Sequence, residues 1–302
     1  MEELANNIKA SRNLTPASLK TYVSNIDKIY RELFNKLWFD KLKRLYKTKK
    51  VTAYLETLKD TTSKNVLTSI IVGLSTDSGT PEEVLKYYKD LLAQKNSVFM
   101  KAYQKHELSE KDIDNWATPQ EIKDIKKSLA KRVTGITVKK ATPEDINKLQ
   151  EYVVLSLYTD LPPIRNNFAN TILTDDPDFV SDKNVVNLAT GIFSMKDYKT
   201  RKTYGDKDIE LPKKLVRLIK KWARYNKTGY LLINTSTKKP VTSNGITKLL
   251  NKVFHPKKIS TTLLRKIYLS NKYKVSDKTD DANIMGHSEG TQQLIYTKVI
   301  PV

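Results

Sequence analysis

Cysteine is absent from this chain of 302 residues, which excludes disulfides, cysteine-ligated zinc and a thiol nucleophile. Histidine is nearly absent too. His106, His255 and His287 stand too far apart in sequence to suggest a zinc site. There is no GxxxxGK(S/T) loop and no dinucleotide fingerprint, so nucleotide-driven chemistry has no support. Apolar runs are too short to span a bilayer, and the opening MEELANNIKA is too polar for a signal peptide. These absences favour an intracellular protein with no membrane partner. Acidic residues are scarce as well: 33 Asp and Glu face 54 Lys and Arg, a formal net charge of +21. Such an excess along the whole length asks for a polyanionic partner, nucleic acid first. The densest acidic cluster, Asp175, Asp176 and Asp178 around Pro177, reads as a solvated loop rather than a set of Mg²⁺ ligands.

What is present is mostly helical. Thr15-Pro16 is a capped helix start, followed at 3–4 spacing by Leu19, Tyr22, Val23, Ile26, Ile29, Tyr30, Leu33 and Phe34. A second amphipathic stretch carries Val66, Leu67, Ile70, Ile71 and Leu74. A third opens at Thr80-Pro81 with Glu83. The apolar pattern lapses over 105–117, which places a boundary between a domain of residues 1–112 and one of 113–302. Thr118-Pro119 with Glu121, and Thr142-Pro143 with Asp145, carry the signature of a reciprocal capping box. The second of these helices must stop before Leu161-Pro162-Pro163. Strands are expected over Val185–Leu188, Gly191–Tyr198 and Asp208–Leu211, with KTRKTYGDK as the turn between the last two. Helices return from Pro212 to the C-terminus. The fold class is mainly α, with one small antiparallel β-sheet in the second domain.

Two arginines stand out. Arg165 follows Pro162-Pro163 where a helix should begin, and Arg265 sits between Leu263-Leu264 and Ile267-Tyr268. A planar guanidinium matches two phosphate oxygens at once. Near the end the chain reads Ile284-Met285-Gly286-His287-Ser288, and Tyr296 follows nine residues after the histidine. In this order and spacing the sequence resembles the tyrosine recombinase family. The segments DNWATPQEI, LYTDLPPIR, DYKTRKTYG and MGHSEGTQQLIY look most like the integrases of large eukaryotic DNA viruses and virophages.

The resemblance implies a helical core-binding domain that clamps a DNA duplex, followed by a catalytic domain that cuts and rejoins strands. Tyr296 would attack phosphorus and leave a 3′-phosphotyrosine. Arg165 and Arg265 would hold the non-bridging oxygens, and His287 would support the transition state. Lys199 would protonate the departing 5′-oxygen, with Lys202 the alternative. A phenol ordinarily ionises near 10, so neighbouring cations must favour its phenolate. No cofactor or metal is implied, and no ATP, because the phosphotyrosine conserves the bond energy. The expected partner is double-stranded DNA held by a homotetramer on two sites, for integration or excision of a mobile or viral genome. The same fold and chemistry fit a type IB topoisomerase, and a non-catalytic DNA-binding protein is the reading from another class. Two positions depart from the family pattern. Thr262 stands where a histidine is usual and cannot shuttle a proton near neutral pH. Phe168 replaces an acidic residue, which leaves Asp160 to orient Arg165. Basic clusters such as KTKK at Lys47–Lys50 fit DNA binding and nuclear import equally, so host nucleus and viral factory both stay open.

Overall fold

The computed structural model describes residues 2–35, 41–273 and 281–300. The chain divides into two compact units, Met1–Gln104 and Lys105–Val302. The first unit holds α1 (Glu2–Ser11), α2 (Pro16–Phe34), α3 (Thr48–Glu56), α4 (Asp60–Leu74) and α5 (Glu82–Gln104). Thr15 caps α2 through its hydroxyl, which accepts from the Ser18 amide at 3.2 Å. Helix α4 is the axis of the unit: Val66, Leu67, Ile70, Ile71 and Leu74 are all buried, against Ile26, Ile29 and Tyr30 of α2. Gly73 permits that approach, since a Cβ there would lie 2.7 Å from Ile26 Cδ1.

The second unit contains α6 (Glu110–Asn115), α7 (Pro119–Val133), α8 (Pro143–Leu157), α9 (Arg201–Tyr204), α10 (Lys213–Ala223), α11 (Ser243–Val253), α12 (Thr261–Lys272), α13 (Asp281–Met285) and α14 (Glu289–Thr291). A single π-helical turn, Gln292–Tyr296, continues α14. Both expected capping boxes form, Thr118 with Glu121 and Thr142 with Asp145. Helix α8 is buried along nearly its whole second half. It packs among Leu215, Ile219 and Trp222 of α10, Ile246 and Leu250 of α11, and Leu263 and Leu264 of α12.

Strands β1 (Ile172–Thr174), β2 (Val185–Asn187), β3 (Ile192–Met195) and β4 (Lys207–Glu210) form one sheet in that order. The sheet is mixed rather than antiparallel: β2–β3 and β3–β4 are antiparallel, but β1 pairs parallel to β2, Leu173 opposite Val186. Three half-buried residues of β1 carry no alternation that a sequence could reveal. Strand β3 also stops at Met195, short of the expected Tyr198. The amides of Lys196 and Asp197 turn instead to the buried Asn184 Oδ1, at 2.9 and 2.7 Å, which ends the ladder. The turn after it is not plain loop, because α9 forms within it. No α-helix begins at Arg165. A single 3₁₀ turn, Asn166–Phe168, forms and stops, since Asn166 bonds Thr261 and Ser243 while the Asn167 carbonyl accepts from Thr171 and Asn184.

Candidate active site

Ser260 caps α12 by accepting from the Leu263 amide, and the helix then turns Leu263, Leu264 and Ile267 into the core. Arg265 goes in with them and is 1% exposed. A buried guanidinium needs partners for its donors; both terminal nitrogens have them, while Nε meets none among the described residues. Nη1 donates to Tyr296 Oη at 2.8 Å, and Nη2 donates to His287 Nδ1 and, at 3.4 Å, to the Met285 carbonyl. The guanidinium carbon also lies 4.1 Å from the centre of the Tyr296 ring, a cation–π contact. Burial pushes Arg265 down to about 10, against the raising effect of Tyr296. It therefore keeps its charge at neutral pH.

Arginine can only donate, so His287 Nδ1 must accept, and the imidazole is neutral with its proton on Nε2. Burial and then the charges of Arg265 and Arg165 push His287 from its ordinary 6.5 to about 4. The folded value lies below the unfolded one. The stability that His287 contributes by staying neutral is thus whole above about pH 6.5 and drains away as pH falls towards 4, by on the order of 3 kcal/mol. Thermal melts of wild type and His287→Gln across pH 7.5 to 4 isolate this group from the carboxylates common to both. The wild-type advantage in Tm is expected to shrink with falling pH, and parallel curves would show that His287 does not titrate this way.

Gly286 joins the remaining pieces. Its carbonyl accepts from Arg165 Nη1 and from Thr200 Oγ1, each at 3.0 Å. Its φ is +69°, and a Cβ would meet Thr200 Oγ1 at 3.3 Å. Gly286→Ala therefore meets a left-handed backbone and a crowded hydroxyl together. A loss of about 1–2 kcal/mol is expected in denaturant unfolding, with Lys199, beside Thr200, displaced in the same step. Gly290→Ala, where a Cβ meets open space, is the control that must stay near wild type.

Arg165, Arg265, Tyr296, Lys199 and Thr262 line one open cleft of about 420 Å³. His287 is not on its wall. It lies buried behind, its ring 5.1 Å from that of Tyr296. Of the two hairpin lysines, Lys199 faces the cleft and Lys202 is not among its lining residues. Thr262 is exposed there, whereas its neighbour Thr261 is buried. Asp160 does not orient Arg165: its carboxylate is taken by Lys126 from α7. The acidic cluster at 175–178 is exposed and contributes nothing to the cleft. Among the described residues no group of three His, Asp or Glu side chains is placed to hold a metal ion.

The chain just after Tyr296 is clasped. Thr297 N closes the π turn on the Gln292 carbonyl at 2.9 Å, a device often found at functional sites. His106 Nδ1 donates to the Thr297 carbonyl at 3.1 Å, and the His106 carbonyl accepts from Val299 N at 3.0 Å. Ser270 Oγ accepts from Lys298 N at 2.8 Å. None of these partners was legible in sequence, and neither was Asn184. Asn184 is 4% exposed and satisfies all its polar atoms, donating to the carbonyls of Asn167 and Asp197, each at 2.9 Å. It pins the segment after Arg165 to the hairpin that carries Lys199. The one available signal was a polar residue directly before the apolar Val185-Val186.

No protein-family model matches the chain, and no curated protein matches it. Among solved structures the chain is similar to the crystal structure of XerA recombinase, at 14% identity over 99% of this chain and 94% of that one, with a TM-score of 0.43.

Proposed function

We propose that this chain cuts and rejoins DNA strands through Tyr296, as a site-specific recombinase of the tyrosine type. The observation that carries this is the Tyr296 hydroxyl held at 2.8 Å by the buried, charged Arg265, at a cleft that also receives Arg165 and Lys199. A scissile phosphate in the cleft would set its non-bridging oxygens against the two guanidinium groups. The Tyr296 oxygen forms a bond to phosphorus while the bond from phosphorus to the 5′-oxygen breaks. The leaving oxygen takes a proton from Lys199. The phenolic proton passes to water at the cleft mouth, where Thr262 can offer a hydrogen bond but not a base. His287, neutral and protonated on Nε2, keeps Arg265 in position from behind the cleft. Preorganised donors of this kind are each typically worth about 3–4 kcal/mol in the transition state. Rejoining is the reverse reaction with a new 5′-hydroxyl. Integration or excision of a mobile or viral genome by a homotetramer, with the first unit clamping the duplex, is the setting that suits a net charge of +21.

The test is covalent capture. Protein and supercoiled DNA carrying the sequences that flank this gene are mixed in EDTA, quenched in detergent, digested and sequenced by mass spectrometry. A nucleotide on the peptide containing Tyr296 is expected. DNA that is bound but never joined to protein favours the binding-only reading.

A further inference from the structure

Carboxylates vanish from two stretches of the chain: none occurs between Asp124 and Glu144, or between Glu210 and Asp277. The fold brings parts of the two together. Lys221 Nζ donates to the Val133 carbonyl at 2.6 Å and Tyr225 Oη to the Ile136 carbonyl at 2.8 Å, so α10 ends against the segment that follows α7. Helix α10 buries Leu215, Ile219 and Trp222 and turns Lys213, Lys214, Arg217, Lys220 and Arg224 to solvent. Arg132 and Lys139 stand exposed in the adjoining segment.

This arrangement works against the helix itself. Lys213 and Lys214 occupy the first turn, where the helix dipole repels cations. Lys213 and Arg217, then Lys220 and Arg224, are like charges at i, i+4, which repel as well. Among the described residues none of the five forms an ion pair with a carboxylate. No residue of α10 or of 131–140 lines the cleft. The helix instead starts at the far end of the hairpin from Lys199, where the Leu211 amide bonds the Gly191 carbonyl.

We infer that the outer face of α10 grips the phosphate backbone of a second DNA duplex, apart from the one the cleft would hold. That wording rests on the proposed function only in counting the cleft duplex as the first. Cations about 5–6 Å apart along a helix face suit a rod of phosphates. A membrane surface is a poorer match, because an interfacial helix offers apolar side chains beside its cations. Those of α10 are in the core or packed against it, and among the described residues of 131–140 and α10 only Val138 is a large exposed apolar side chain.

The experiment is a stoichiometric titration of the full chain with a duplex of about 12 base pairs, roughly 40 Å long, at low salt. It compares wild type with a variant combining Lys213→Gln, Lys214→Gln, Arg217→Gln and Lys220→Gln. Wild type is expected to saturate at two duplexes per chain and the variant at one. The weaker wild-type step should lose affinity with salt with a log–log slope near −3 to −4, about 0.9 per phosphate contact. The variant should melt no lower than wild type, since repulsion is relieved. Equal end points for the two proteins would overturn the inference. So would charge-dependent capture of phosphatidylserine vesicles by wild type with only one duplex bound. The count of duplexes needs no cleavage, so a chain that binds two yet never forms an adduct would sink the proposed chemistry and leave this inference standing.

Discussion

Tyr296→Phe is expected to abolish the protein–DNA adduct while changing DNA affinity by no more than about twofold, because only a single oxygen is removed. The ring is buried beneath Arg265 and beside His287, so phenylalanine keeps the packing and the cation–π contact. What disappears is the proposed nucleophile and one charge-assisted hydrogen bond. The lost bond costs about 1.5–3 kcal/mol at most, a drop of several degrees in Tm for a unit of this size. The variant should therefore be folded, able to bind and chemically silent. Residual adduct would mean that another of the 16 tyrosines attacks, and the assignment of Tyr296 would fall.

Arg265→Lys comes next in size. An ammonium is a point charge, whereas Arg265 divides its fork among Tyr296 Oη, His287 Nδ1 and the Met285 carbonyl. Lysine cannot serve all three and still meet a phosphate. Single-turnover cleavage is expected to fall by at least about 10²–10³-fold, the loss typical of one transition-state donor. Arg265→Ala should fall further and carry a second signature. With the neighbouring charge gone and water admitted, the His287 imidazole should titrate well above its present value of about 4, read by NMR of the ring protons. An unchanged titration, or cleavage by Arg265→Lys at the wild-type rate, would show that Arg265 is a packing residue only.

The helices were legible because their signals are local. Thr118 with Glu121 and Thr142 with Asp145 announce helix starts within four residues, and both boxes form. The order Arg165, Lys199, Arg265, His287, Tyr296 was legible through resemblance, and the fold does gather these side chains. What the sequence hid is whatever long-range hydrogen bonds decide. Asn184 stops β3 from 12 residues away, and Lys126 captures Asp160 from another helix. His106 reaches the chain after Tyr296 across a separation of 191 residues. No periodicity encodes such pairings. Strand β1 escaped for a related reason, since it is defined by its pairing with β2 on one edge and with Gly229 and Leu231 on the other.

The Gly286 carbonyl has room for two donors and uses both, one from Arg165 and one from Thr200, beside Lys199 in the hairpin turn. A single oxygen thus behaves as a coincidence gate. It is fully satisfied only when Arg165 and Thr200 have arrived together, and the next residue along is His287. A half-built cleft would leave that oxygen short of a partner, so the segment that carries Arg165 and the hairpin turn that carries Lys199 are made to assemble as one event.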